Sequence, residues 1–142
     1  MRVLGVDAGE RRIGLALSDA SGLIASPLEV VTVREGEDPV ALVLDRTRES
    51  GAECIVVGMP IDLRGEEGVA AQRMAAFVER LRAATELPVE VSDERMTSAV
   101  AARSMQEAGL TERDRRGHVD KVAAALILQT WLDRRRAGGE AS

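Results

Sequence analysis

The chain of 142 residues has almost no aromatic side chains: no tyrosine, one phenylalanine (Phe77) and one tryptophan (Trp131). Its core must be assembled from Val, Leu, Ile, Ala and Met, and a run of nucleic-acid bases has no series of exposed rings to stack on. Cysteine occurs once, at Cys54. That excludes an internal disulfide, and the neighbours Ile55, Val56 and Val57 make the thiol a small buried hydrophobe of a reducing compartment. Histidine also occurs once, at His118, so a zinc centre lacks donors. No apolar run is long enough to span a membrane, and the amino terminus has no charged start followed by a secretory core; a soluble cytoplasmic protein is expected. The net charge of -5 argues against broad electrostatic attachment to nucleic acid. Arginines nevertheless gather at 11–12, at 113, 115 and 116, and at 134–136, a localised basic rim compatible with a polyanionic substrate.

What is present starts with VLGVDAGERRIGLALSD at 3–19, two antiparallel strands around a glycine-containing turn. Side chains alternate along a strand, so Val3, Gly5 and Asp7 share one face and Leu4 and Val6 the other. Gly5 leaves room for a close approach to the sheet beside Asp7. Gly9 is expected at a positive φ in the turn, with Arg11 and Arg12 opening the second strand. A turn at 19–22 leads to a third strand, LIASPLEVVTVRE, with Pro27 at an edge or bend. Asp38-Pro39 caps a helix that stops at Gly51. CIVVGMP at 54–60 is a strand covered on both faces, followed by the loop IDLRGEEG. A helix with Ala70, Met74, Phe77, Val78 and Leu81 on one stripe runs to about Ala84. The strand at 88–92 ends in Asp93-Glu94-Arg95. A short helix from Thr97 or Ser98 to Gly109, a polar segment TERDRRG, an apolar helix from about His118 and a frayed tail at 137–142 complete a single domain spanning 1–142. The order implies an α/β fold: a mixed five-stranded sheet, antiparallel then parallel, with helices on both faces.

Asp7, Asp93, Glu94 and Asp120 are the acids such a sheet can bring together. Residues 127 and 131 lie only about 20° from Asp120 around a helix of 3.6 residues per turn, which aims its carboxylate along the apolar stripe. Taken singly, Asp120 can be a helix cap and Asp7 a turn residue. Several inward carboxylates with few neutralising partners instead call for a divalent cation with oxygen ligands, Mg²⁺ or Mn²⁺.

VDAGERRIGLALSD at 6–19, VVGMPIDLRGEEG at 56–68, VSDERMTS at 91–98 and VDKVAAALILQTWL at 119–132 resemble the YqgF/RuvX family of Holliday-junction-resolvase-like proteins. The resemblance covers nearly the whole chain and implies a ribonuclease H-like fold and a metal-dependent nuclease. The substrate it implies is the 5′ end of 16S ribosomal RNA precursors or, in some members, branched DNA. It implies catalytic roles for Asp7, Glu94 and Asp120 and metal ligation by Asp7, Asp93, Glu94 and Asp120, with the choice between Asp93 and Glu94 open. Ser98 departs from the threonine common after the DER motif but keeps a hydroxyl. Arg11, Arg12, Arg95, His118 and Lys121 are candidates for holding flanking phosphates. Two other readings compete. One is an ATP-binding fold of the actin and sugar-kinase type, against which the length of the chain speaks; the other is a noncatalytic RNA- or ribosome-binding module. With no large apolar surface left over, a monomer or weak homodimer acting on RNA is expected.

Overall fold

The computed structural model describes residues 1–9, 11–59, 69–93 and 112–138, the side chains at 69–71, 93 and 112–120 excepted. The elements are β1 (Val3–Ala8), β2 (Arg12–Ser18), β3 (Ala25–Thr32), α1 (Pro39–Ser50), β4 (Cys54–Met59), α2 (Val69–Ala84), β5 (Val89–Asp93) and α3 (Glu112–Ala137). The five strands form one sheet in the order β3-β2-β1-β4-β5. β1 is central, antiparallel to β2 and parallel to β4, and β4 is parallel to β5. The expected mixed sheet is therefore present. The IDLRGEEG loop and the short helix expected after Thr97 lie outside the described residues.

Local chemistry sets the boundaries. The Asp19 carboxylate accepts from the amides of Leu23 (2.8 Å) and Ile24 (3.0 Å) and from the Ser21 hydroxyl. Those two residues are thereby held in the turn, so β3 starts at Ala25 rather than at Leu23 and ends at Thr32. Pro27 sits on the edge strand, where its missing N–H costs no ladder bond. The register shifts beside it, from Leu15↔Glu29 to Ala16↔Pro27. Asp38 caps α1 by accepting from the Val40 amide (3.1 Å), and Gly51 ends it at φ 73, the left-handed conformation that glycine adopts without strain. Gly9, expected at positive φ, is not there: positive φ occurs at Gly22, Gly36 and Gly51. Its amide donates to the Arg12 carbonyl (2.8 Å), and a Cβ on Gly9 would lie 3.1 Å from that same oxygen. Glycine is needed there for closeness.

The last helix begins at Glu112, not near His118, and absorbs most of the segment expected to precede it. Arg and Glu are strong helix formers, and Gly117 costs only about 1 kcal/mol relative to alanine, which a long packed face offsets. The helix continues through Ala137, the first residue of the expected tail, and residues 139–142 lie outside the described ones.

Two apolar layers flank the sheet. On one side Leu4, Val6, Ile13, Leu15, Ile55 and Val57 pack with Val43 of α1 and with Met74, Phe77, Val78 and Leu81 of α2. On the other, Val3, Ala16, Cys54 and Val56 pack with Ala124, Ile127, Leu128 and Leu132 of α3. The buried face of α3 thus includes Ala123, Ala124, Ile127, Leu128 and Leu132.

Candidate active site

Asp7 lies near the end of β1, half-buried, in the row of Val3 and Gly5 that faces α3. Its cross-strand partner on β2 is Gly14. On β4, Gly58 follows Val57, the partner of Val6, just as Asp7 follows Val6. Every sheet position next to Asp7 on this face is therefore a glycine: Gly5 before it, Gly14 on one side and Gly58 on the other. Sequence reasoning singled out Gly5 and missed Gly14 and Gly58. The available signal was glycine inside a strand, which marks the close approach of a backbone or ligand.

The close approach is visible at Gly5, where a Cβ would lie 2.8 Å from Leu128 Cβ and 3.1 Å from the Ala124 carbonyl oxygen. Because Leu132 packs in the layer of Val3 while Ala124 and Leu128 cover Gly5, α3 runs antiparallel to β1. From Ala124 back to Asp120 is about 6 Å of helix axis, and from Gly5 on to Asp7 is about 6.7 Å of strand. The turn of α3 that carries Asp120 and Lys121 therefore passes over the end of β1 that carries Asp7.

The other candidates divide. Arg12 opens β2, half-buried, in the row of Gly14 and Ala16 and so on Asp7's face, while Arg11 is exposed just before it. Lys121 is half-buried on α3, and His118 lies in the preceding turn. On β5, Ser92 pairs with Gly58 and so belongs to Asp7's row, whereas Asp93 ends the row of Val89, whose side chain packs in the α1/α2 layer. Glu94 and Arg95 lie outside the described residues. Among the described residues no three His, Cys, Asp or Glu side chains form a metal-binding group. The Cys54 thiol is at the far end of the sheet, beside Val3, where burial and then the charge of Glu90 push its pKa up to about 11.

Residues 1–134 match the family model RuvX, described as Holliday junction resolvase. A relative from Anaeromyxobacter sp. strain Fw109-5 is 45% identical over 137 residues, 96% of this chain and 100% of its own, and carries the provisional name pre-16S rRNA nuclease. Relatives with the same name occur in Symbiobacterium thermophilum (44% identical over 96% of this chain and 95% of theirs) and Chloroflexus aurantiacus (40% over 95% and 88%). Among solved structures, T. thermophilus RuvC in complex with Holliday junction substrate superimposes with a TM-score of 0.56 at 24% identity, covering 94% of this chain and 96% of that one. The fowlpox virus Holliday junction resolvase gives a TM-score of 0.55 at 10% identity over 94% and 99%. These two share the fold.

Proposed function

As the chain belongs to the RuvX family, we propose that it is a metal-dependent endonuclease that hydrolyses phosphodiester bonds in the 5′ extension of 16S ribosomal RNA precursors. The observation that carries this proposal is the convergence of Asp7 with the Asp120-bearing turn of α3, on a sheet face where the positions flanking Asp7 are glycines. The half-buried carboxylate of Asp7, with the only thiol at the opposite end, is a hard oxygen donor that together with Glu94 and Asp120 would fit magnesium or manganese. Asp7, Glu94 and Asp120 would hold the ion. Glu94 is preferred to Asp93 because Asp93 belongs to the row opposite that of Asp7. When bound, the metal supplies Lewis-acid activation of water and compensates charge on the phosphate. Arg12 and Lys121 flank the same end of the sheet and contact phosphates on either side of the scissile bond, fixing the register of the strand without reading its sequence.

Purified protein with Mg²⁺ or Mn²⁺ should shorten a transcript carrying the 16S 5′ extension, and chelation should stop it. Asp7→Asn should lose cleavage, on the order of a hundredfold or more, while keeping the wild-type circular dichroism. Equal cleavage by the wild type and Asp7→Asn would refute the site.

A further inference from the structure

At the opposite end of the α3 face, Met1, the start of β4, the start of β5 and the last turns of α3 line an open cleft of about 530 Å³. That is within the range of small-ligand clefts, ~300–1,000 Å³. Cys54 and Pro88 line its apolar part, Trp131 forms a wall, and Arg134, Arg135 and Glu90 stand at its mouth. Trp131 is half-buried, with its ring covered on one side by the Arg135 guanidinium, 5.3 Å from the ring centroid. Arg136 is engaged by Asp133, whereas Arg134 has no ion pair among the described residues. One ring, too little to stack a run of bases, suffices to hold a single one.

We propose that this cavity is a remote anchoring site for single-stranded RNA: one unstacked base enters beside Trp131 while Arg134 and Arg135 take the adjoining phosphates. An aromatic wall with guanidiniums at its edge matches the mixed chemistry of a nucleotide, a flat π-face joined to an anion, better than it matches a purely apolar or purely anionic ligand. Glu90 would repel a phosphate placed against it, but its carboxylate can accept from a base amino group, as carboxylates do from cytosine N4. Trp131 lies eleven residues along α3 from Asp120, about 16 Å of helix axis, which sets the distance between the anchor and the cleavage site. A duplex, whose bases are stacked and paired, cannot enter. The inference rests on the nuclease reading of the chain and deepens it.

Trp131 is the only tryptophan and there is no tyrosine, so tryptophan emission reports on this cavity alone. The probe is a short fluorescein-labelled single-stranded RNA of mixed sequence, in EDTA so that nothing is cut; binding is read by its polarisation, and an unlabelled copy is titrated for Trp131 emission. Single-stranded RNA should quench Trp131 with the same midpoint as it binds, and RNA duplex should not. Arg134→Ala should weaken binding about fivefold and flatten the dependence of log affinity on log salt by about one unit. In cleavage assays with Mg²⁺ it should raise KM and leave kcat alone. Trp131→Leu, checked for folding by circular dichroism, should weaken binding at least about fivefold. Binding without quenching, or with affinity and salt slope unmoved by Arg134→Ala, overturns the anchor and leaves the nuclease reading intact. Neither binding nor cleavage of any RNA overturns both.

Discussion

At the scale of single residues, Gly5 carries the greatest structural demand. With Leu128 Cβ 2.8 Å and the Ala124 carbonyl 3.1 Å from where a Cβ would stand, Gly5→Ala must push α3 off the sheet. The expected cost is ~1–3 kcal/mol, typical of overpacking, seen as a lower urea midpoint, with cleavage falling further than stability because the Asp120 turn moves as well. A variant as stable and active as the wild type would show that α3 has slack there. Asp19 makes the second prediction. The Ser21 hydroxyl, then the Ile24 and Leu23 amides, hold its carboxyl well below the usual carboxylate range. A carboxyl lowered on folding contributes stability that is complete above its unfolded value, ~3.9, and fades as pH falls toward the folded value. Asp19→Ala should therefore lower the denaturation midpoint at neutral pH, and the gap to the wild type should narrow progressively below about pH 4. A gap independent of pH would mean that charge plays no part in the turn. The face of Asp7 was legible from strand alternation alone. Its glycine frame was not, because Gly14 and Gly58 come next to it only through pairing with β2 and β4.

At the scale of elements, the start of α1 joins two helices. Asp38 accepts from the Val40 amide and, at 2.8 Å, from Arg80 of α2; the Arg80 bond first and the amide second lower its pKa. Asp38→Asn keeps a capping oxygen but loses the ion pair, and Asp38→Ala loses both. Thermal stability should fall in the order wild type, Asn, Ala, and the first step should shrink in high salt, since both side chains are about half exposed. Were Asn and Ala equally destabilised, the cap would contribute nothing. The two ends of α1 could be read directly, because Asp-Pro and a terminal glycine act through local backbone geometry. The start of α3 could not. Polar, arginine-rich residues 111–117 look like a loop when their own chemistry is the only guide, and the helix extends over most of them beyond the apolar face that anchors it.

At the scale of the whole molecule, the question is whether one site or two are presented. Resolving a four-way junction takes two symmetric nicks and so a twofold pair of sites, whereas trimming one RNA end takes one. β3, at one edge of the sheet, carries Pro27 and a register shift, both of which discourage pairing with a second edge. Light scattering should give a monomer or a weak dimer, alone and with a four-way junction. Paired, symmetric nicks from a stable dimer would favour DNA resolution over RNA trimming. The lie of α3 also bears on when the protein becomes active during its synthesis. The β1-β2-β3 meander pairs close neighbours in sequence and can form early, but Asp7 meets the Asp120 turn only after more than a hundred intervening residues have been made. A nascent chain still lacking α3 therefore exposes a bare sheet face and half a site. Cutting ability arrives with α3, so the ribosome making this protein is not exposed to a working nuclease until more than a hundred residues beyond Asp7 have been made.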